Sequence, residues 1–182
     1  MEYFIIAIIL LALELLYFKI AGHYNIIDKP NHRSSHTKIT LRGGGIIFPI
    51  AFVLYIVMSI IHRKEWFVPE QFWSFGLGLF LLSTISFLDD ILDLSTKLRL
   101  VFHFLSVVLL IYFLGLWDVL PFWTLPLVFI FIIGVLNAYN FMDGINGITG
   151  FYSLVILITL YYINQYKISF ADIHFIVYPI FA

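Results

Sequence analysis

The sequence predicts an all-α, polytopic transmembrane helical bundle, and three observations carry that prediction. Of 182 residues, 62% are hydrophobic and only 12% charged, with a mean hydropathy of +1.02. A water-soluble domain of this length needs more polar surface than that. The apolar residues also come in long blocks instead of at the period of an amphipathic helix. Finally, lysine and arginine gather in alternate loops, as they do between membrane spans.

Crossing roughly 30 Å of hydrocarbon takes about 20 apolar residues in a helix. Blocks near that size run from Tyr3 to Ala21, Ile46 to Ile61, Phe72 to Leu88, Leu98 to Leu116, Val119 to Leu136 and Ile148 to Ile163. That makes six complete spans, and the start of a seventh opens around Phe175. Pro69, Pro121 and Pro126 mark loops or first helical turns. The first block reads as a retained helix, because Glu2 replaces the basic start of a signal peptide and no small-residue cleavage site follows. No internal repeat or linker interrupts the chain, so residues 1–182 read as a single integral membrane domain. The run of apolar residues reaching Ala182 suggests truncation at the C-terminus.

The first, third and fifth loops hold Lys19, Lys29, Arg33, Lys38, Arg42, Lys97 and Arg99, against Arg63, Lys64 and Lys167 in the others. This asymmetry predicts that the odd loops are cytoplasmic and the N-terminus outside. There are no cysteines, which excludes disulfides and thiolate metal sites. The net charge of −1 is uninformative about partners, and no nucleic-acid partner is expected.

Three polar segments fall in the odd loops. The first runs Asp28-Lys29-Pro30-Asn31-His32-Arg33-Ser34-Ser35-His36 and continues to Arg42-Gly43-Gly44-Gly45 at the entrance to the second span. Successive glycines let backbone N–H groups approach an anion, a helix N-terminus adds a positive dipole end, and arginines hold phosphate bidentately. An equally good reading is a basic loop lying on anionic lipid. His32 and His36 have metal-pair spacing, but the neighbouring proline argues against the regular helix such a pair needs.

The second segment is Asp89-Asp90-Ile91-Leu92-Asp93, with Lys97 and Arg99 downstream. Three crowded carboxylates at the end of a span require a cation or a raised pKa. If the segment stays helical, Asp89, Asp93 and Lys97 form a stripe at four-residue spacing. Such a cluster suits Mg²⁺ or a carboxylate base. A solvated turn is the plainer alternative, but one charge would suffice to end the helix. The third segment, Asn137-Ala-Tyr-Asn140-Phe-Met-Asp143-Gly-Ile-Asn146-Gly147, places Asn137, Asn140 and Asp143 within an arc of roughly 120° on a helix. Amides and an acid on one face can hold a metal, a ribose or a base. A glycine-rich turn would not need them at that interval.

Other polar residues carry less weight. Glu14, inside the first span, is expected to snorkel or to pair with Lys19, and His103 to be a hydrogen-bonded interior residue. Gly76 and Gly78 are expected to permit close helix packing.

These residues resemble a known pattern. Asp28-Lys29-Pro30-Asn31 with Arg33 and His36, Arg42-Gly-Gly-Gly, Asp89-Asp90, and Asn137-x-x-Asn140-x-x-Asp143-Gly-Ile-Asn146-Gly are similar, in order, to the polyprenyl-phosphate N-acetylhexosamine-1-phosphate transferases of bacteria. The Arg33-Ser-Ser-His36 and Arg42-Gly-Gly-Gly wording resembles the O-antigen and lipopolysaccharide branch most. The resemblance implies transfer of an amino-sugar phosphate from a UDP-sugar to polyprenyl (undecaprenyl) phosphate, with release of UMP. Mg²⁺, or Mn²⁺ in its place, is the implied cofactor, and a homodimer an expected association. The implied site lies on the cytoplasmic face of a bacterial inner membrane. By position, Asp89 and Asp90 match the catalytic acids and Asn140 and Asp143 the metal residues. Arg33, His36, Arg42, Gly43, Gly44, Lys97, Asn137, Asp143 and Asn146 match positions serving the substrates. The family's usual chain is longer, with a further metal-binding Asp and a histidine-containing sugar loop downstream, so this chain alone is expected to be inactive. Two other readings compete. Asp89-Asp90-x-x-Asp93 also fits a polytopic Mg²⁺-dependent prenyltransferase, although the second acidic motif of that class is missing. The chain could also be an inactive membrane fragment or assembly partner.

Overall fold

The computed structural model describes residues 2–28, 40–62, 72–92, 94–142 and 147–182, with the side chains at 28, 62 and 140–142 excepted. In chain order the elements are α1 (Glu2–His23), β1 (Ile27–Asp28), β2 (Thr40–Leu41), α2 (Ile47–His62), α3 (Phe72–Leu92), α4 (Thr96–Phe113), α5 (Leu116–Val119), α6 (Leu125–Met142), α7 (Ile148–Tyr166) and α8 (Ile173–Ile180). The only pairing among the described residues that is not helical is a two-residue antiparallel ladder, Ile27 opposite Leu41 and Asp28 opposite Thr40. The protein is a multi-pass membrane helical bundle. The segments Glu2–His23, Gly44–Ile61, Phe72–Leu92, Thr96–Phe113, Phe122–Tyr139 and Ile148–Tyr166 are each long and apolar enough to cross a membrane. Phe4, Phe131 and Phe151 are more than 70% exposed, as side chains solvated by hydrocarbon can be.

The chain forms two compact units. One comprises residues 1–68 and 144–182, the other residues 69–143. In the first, α8 packs against α7, α2 and α1. Tyr55 of α2 meets Phe175 and Tyr178 edge-on, at ring-centroid distances of 5.6 and 6.4 Å. The Tyr178 hydroxyl donates to Glu2 Oε1 at 2.6 Å, tying α8 to the start of α1. The turn before α8 is held by Asn164, whose Oδ1 accepts from Phe170 N and Ala171 N while its Nδ2 donates to the Ala171 carbonyl. Helix α8 covers Ile173–Ile180, at the place where the sequence suggests the start of a seventh span.

In the second unit α3 and α4 form an antiparallel hairpin. At its closed end Ser95 caps α4 by accepting from Leu98 N, and at its open end Phe113 packs on Phe72 and Phe75. Gly78 permits this close crossing, since a Cβ there would stand 3.3 Å from the Ser106 carbonyl oxygen. Helix α6 returns antiparallel to α4, with Phe104 stacked on Phe129 at 4.9 Å and Val107, Ile111 and Leu125 forming the buried centre. In hydrocarbon, such contacts hold helices together by van der Waals packing, since there is no water to expel.

Three boundaries of the fourth and fifth spans differ from the sequence reading. The fourth apolar block stops being one helix at Phe113, because Gly115 adopts a left-handed conformation (φ 64°) and starts a new turn. Pro121 then lies outside any helix, and the fifth span starts at a 3-10 turn, Phe122–Thr124, with Pro126 in the first turn of α6. The other end of that span reaches Met142, so Asn137 and Asn140 belong to the helix itself.

Candidate active site

The acidic segment does not continue as one helix. α3 ends at Leu92 and α4 begins at Thr96, so Lys97, exposed in the first turn of α4, shares no helical stripe with Asp89. Asp89 has other partners. Its Oδ1 accepts from Leu94 N at 3.0 Å, and its Oδ2 pairs with Arg99 Nη1 at 2.7 Å. Both groups are well sheltered, with 19% of the Asp89 and 29% of the Arg99 side chain exposed. Both carboxylate oxygens are therefore engaged in fastening α3 to α4. Asp90, the next residue of α3, is exposed at the same end.

The antiparallel course of α6 against α4 brings the C-terminal turns of α6 to this end as well. Asn137, partly buried there, donates from Nδ2 to the Ile133 carbonyl at 3.0 Å, which leaves its amide oxygen as an acceptor. Asn140 lies one turn further on. The Asn140 side chain, and Asp143 and Asn146 entirely, lie outside the described residues, as do Arg33, His36 and Asp93.

Arg42, Gly43 and Gly44 belong to the first unit. The ladder of β1 with β2 closes the base of the segment between them, and Arg42 N extends it by donating to the Ile26 carbonyl at 3.1 Å. The Tyr17 hydroxyl of α1 donates to the Arg42 carbonyl. Gly43 takes φ 80°, which a side chain would strain, and its carbonyl accepts from Ile46 N at 3.1 Å to begin the 3-10 turn leading into α2. Glu14 departs from expectation. It forms no ion pair with Lys19 among the described residues, because a five-residue separation puts the two on different faces of α1. A Cβ on Gly44 would instead lie 3.2 Å from Glu14 Oε1, and Glu14 Oε2 is buried without a hydrogen-bond partner. His103 is interior, at 7% exposure, but its Nδ1 lacks the partner expected of it.

Among the described residues no three acids or histidines converge as a ready-made metal cage. Mg²⁺ does not need one, since it commonly keeps several waters and takes one or two carboxylates beside substrate phosphates. Asp90 and the Asn137 oxygen, at one end of the second unit, are donors of the required hard-oxygen type. The sequence places Arg99 downstream of the acids but does not assign it as the partner of Asp89. Its signal is faint, a basic residue one turn inside a serine-capped helix that follows an acidic helix end.

Comparisons with known proteins identify the family. The family model described as glycosyl transferase family 4 matches residues 72–182, which includes the Asp89 and Asn137 segments but not Arg42. The chain is 29% identical, over 78% of its length and 41% of the relative's, to a probable undecaprenyl-phosphate N-acetylglucosaminyl 1-phosphate transferase of Bacillus subtilis. It is 30% identical, over 83% of its length and 43% of the relative's, to the undecaprenyl-phosphate alpha-N-acetylglucosaminyl 1-phosphate transferase of Escherichia coli K12. It is also 27% identical, over 76% of its length and 49% of the relative's, to a phospho-N-acetylmuramoyl-pentapeptide-transferase of Petrotoga mobilis. The chain thus spans less than half the length of each of these relatives. No solved structure matches it significantly. The family match over most of the chain, together with acids and amides at one end of an antiparallel helical unit, establishes that this chain belongs to glycosyl transferase family 4.

Proposed function

We propose that the chain carries part of the active site of a phosphoglycosyl transferase that moves an amino-sugar 1-phosphate from a UDP-sugar to undecaprenyl phosphate. The observation that carries the reading is the gathering of Asp90, the Asp89–Arg99 pair and the Asn137 end of α6 at one end of a family-4 helical unit. An oxygen of the lipid phosphate attacks the β-phosphorus of the UDP-sugar, a new P–O bond forms, and the bond to the bridging oxygen breaks, releasing UMP. Asp90 accepts the proton of the lipid phosphate as it becomes a nucleophile. Asp89 acts indirectly, holding Arg99 and the α3–α4 turn in place. Arg99 and Lys97 add positive charge where phosphates meet, and Asn137, Asp143 and Asn146 serve the nucleotide. Arg33, His36, Arg42 and the Gly43–Gly44 backbone contact phosphate-bearing substrate. Asp90, Asn140 and Asp143 are suited to hold Mg²⁺, or Mn²⁺, which when bound neutralises phosphate charge. The site faces the cytoplasm of the inner membrane with the N-terminus outside, a reading supported by the lysine and arginine asymmetry of the loops.

The test is incubation of membranes containing the chain, alone and together with the C-terminal part of the Escherichia coli relative, with labelled UDP-N-acetylhexosamine and undecaprenyl phosphate. The expected result is a labelled diphospholipid and UMP in the combined membranes that Asp90→Asn abolishes. Product formation unaffected by Asp90→Asn would overturn the assignment.

A further inference from the structure

Glu14 lies nine residues before His23, the last residue of α1, which places it about 14 Å along the helix from that end and inside the first span. An acid at that depth is costly, and packing alone would be served by an apolar side chain. Its Oε2 is nevertheless buried with no hydrogen-bond partner, and its Oε1 stands 3.2 Å from where a Cβ on Gly44 would lie. Tyr17 and Phe18 follow at i+3 and i+4, on the same face of α1. The Tyr17 hydroxyl donates to the Arg42 carbonyl, and a Cβ on Gly44 would come within 3.8 Å of the Phe18 ring. One face of α1 therefore underlies the turn from Arg42 to Gly44. Of the three successive glycines only Gly43 takes a positive φ, and a Cβ on Gly45 would meet nothing within 4 Å. What the bare Cα of Gly44 accommodates is the approach of the Glu14 carboxyl.

We propose that Glu14 is a positioning residue for the Arg42–Gly44 turn, its carboxyl against Gly44 setting the backbone that presents Arg42 to phosphate, a role that rests on the reading of that turn given above. The start of α2 explains why an acid is used. Gly43 begins the 3-10 turn Gly44–Ile46 with no side-chain cap, and neither that turn nor the first turn of α2 contains an acid. The first N–H groups of a helix have no intrahelical partner and form its positive dipole end. A carboxyl oxygen brought to that end from α1 has the polarity that the sequence of α2 does not itself supply. A leucine at position 14 would fill similar space and offer no such oxygen. With Glu14 against Gly44 and Tyr17 on the Arg42 carbonyl, both ends of the turn are held by one helix.

Membranes containing the full 182-residue chain and the C-terminal part of the Escherichia coli relative are assayed with labelled UDP-N-acetylhexosamine and undecaprenyl phosphate, each varied in turn. The melting temperature of every variant is measured in detergent beside the kinetics. Glu14→Leu should leave the melting temperature unchanged or raise it, since it removes an acid from hydrocarbon. It should nevertheless raise the same KM that Arg42→Ala raises, by about fivefold, the equivalent of one ordinary hydrogen bond. Its kcat should stay within about twofold of the wild type. Glu14→Gln, which keeps an oxygen against Gly44, should restore most of the lost affinity. Glu14→Ala and Gly44→Ala break the same contact from its two sides, so together they should raise KM no more than either does alone. Multiplied effects would show that the two residues act separately and would overturn the proposal. Unaltered KM values in Glu14→Leu, whatever its melting temperature, would reduce Glu14 to packing and overturn it while the reading of the turn stands. If wild-type membranes form no product, or if Arg42→Ala changes neither KM, the reading of the turn falls and the role of Glu14 with it.

Discussion

Arg99 Nη1 lies 2.7 Å from Asp89 Oδ2 across the turn joining α3 to α4. Each charge sits at the unfavourable end of its own helix, the acid near the C-terminus of α3 and the base in the first turn of α4. Each faces the favourable end of the neighbouring helix, so the pair satisfies both dipoles by exchange. Asp89 also accepts from Leu94 N, in the turn between the two helices.

This relationship predicts coupling. Asp89→Asn and Arg99→Ala should each destabilise the second unit by on the order of 1–2 kcal/mol, given the shelter of the pair. The double variant should cost little more than either single one. A double-mutant cycle by thermal or denaturant unfolding in detergent checks this, and additive losses would mean that the pair contributes nothing.

Neighbouring acids should behave differently in catalysis. In membranes also supplying the C-terminal part of a relative, Asp90→Asn should lower kcat by about 10²–10⁴ with little change in stability, because the residue is exposed. Asp143→Asn should also lower kcat strongly. Asp89→Asn should lower activity and stability together. Measuring kcat beside the melting temperature separates these cases.

Arg42→Ala should chiefly raise KM for a phosphate-bearing substrate, because it removes binding common to ground and transition states. Tyr17→Phe deletes the hydroxyl that holds the Arg42 carbonyl, and should cost about 1 kcal/mol of stability and shift KM in the same direction. An effect of Arg42→Ala confined to kcat would contradict the binding role.

Gly43, at φ 80°, should tolerate asparagine better than alanine, with Gly43→Ala costing about 1 kcal/mol. Gly44→Ala should be milder, because the atom it approaches is the flexible end of Glu14. The order of melting temperatures, Gly44→Ala above Gly43→Ala, is the readout.

Single cysteines at Ser35 and Ser95 should react with a membrane-impermeant maleimide only in inside-out vesicles, and a tag at the N-terminus should be accessible only in intact cells. Labelling of both cysteines from the periplasmic side would reverse the proposed orientation.

Hydropathy is local and additive along a helix, so the blocks starting at Tyr3, Phe72 and Ile148 were legible as spans from composition alone, and the family was legible in the Asp89-Asp90 and Asn137-x-x-Asn140-x-x-Asp143 wording. Helix ends were less so. Whether Lys97 continued the stripe of Asp89 depended on the break between Leu92 and Thr96 and on the Ser95 cap, and a left-handed Gly115 moved the start of the fifth span. Partnership was decided only by tertiary structure. That Asp89 binds Arg99, that Glu14 turns to Gly44 and away from Lys19, and that the Ser106 hydroxyl and His103 Nδ1 are buried without a hydrogen-bond partner all depend on which helix faces meet. A linear sequence records the period of each helix, but the rotation of one helix against another is set by packing between them.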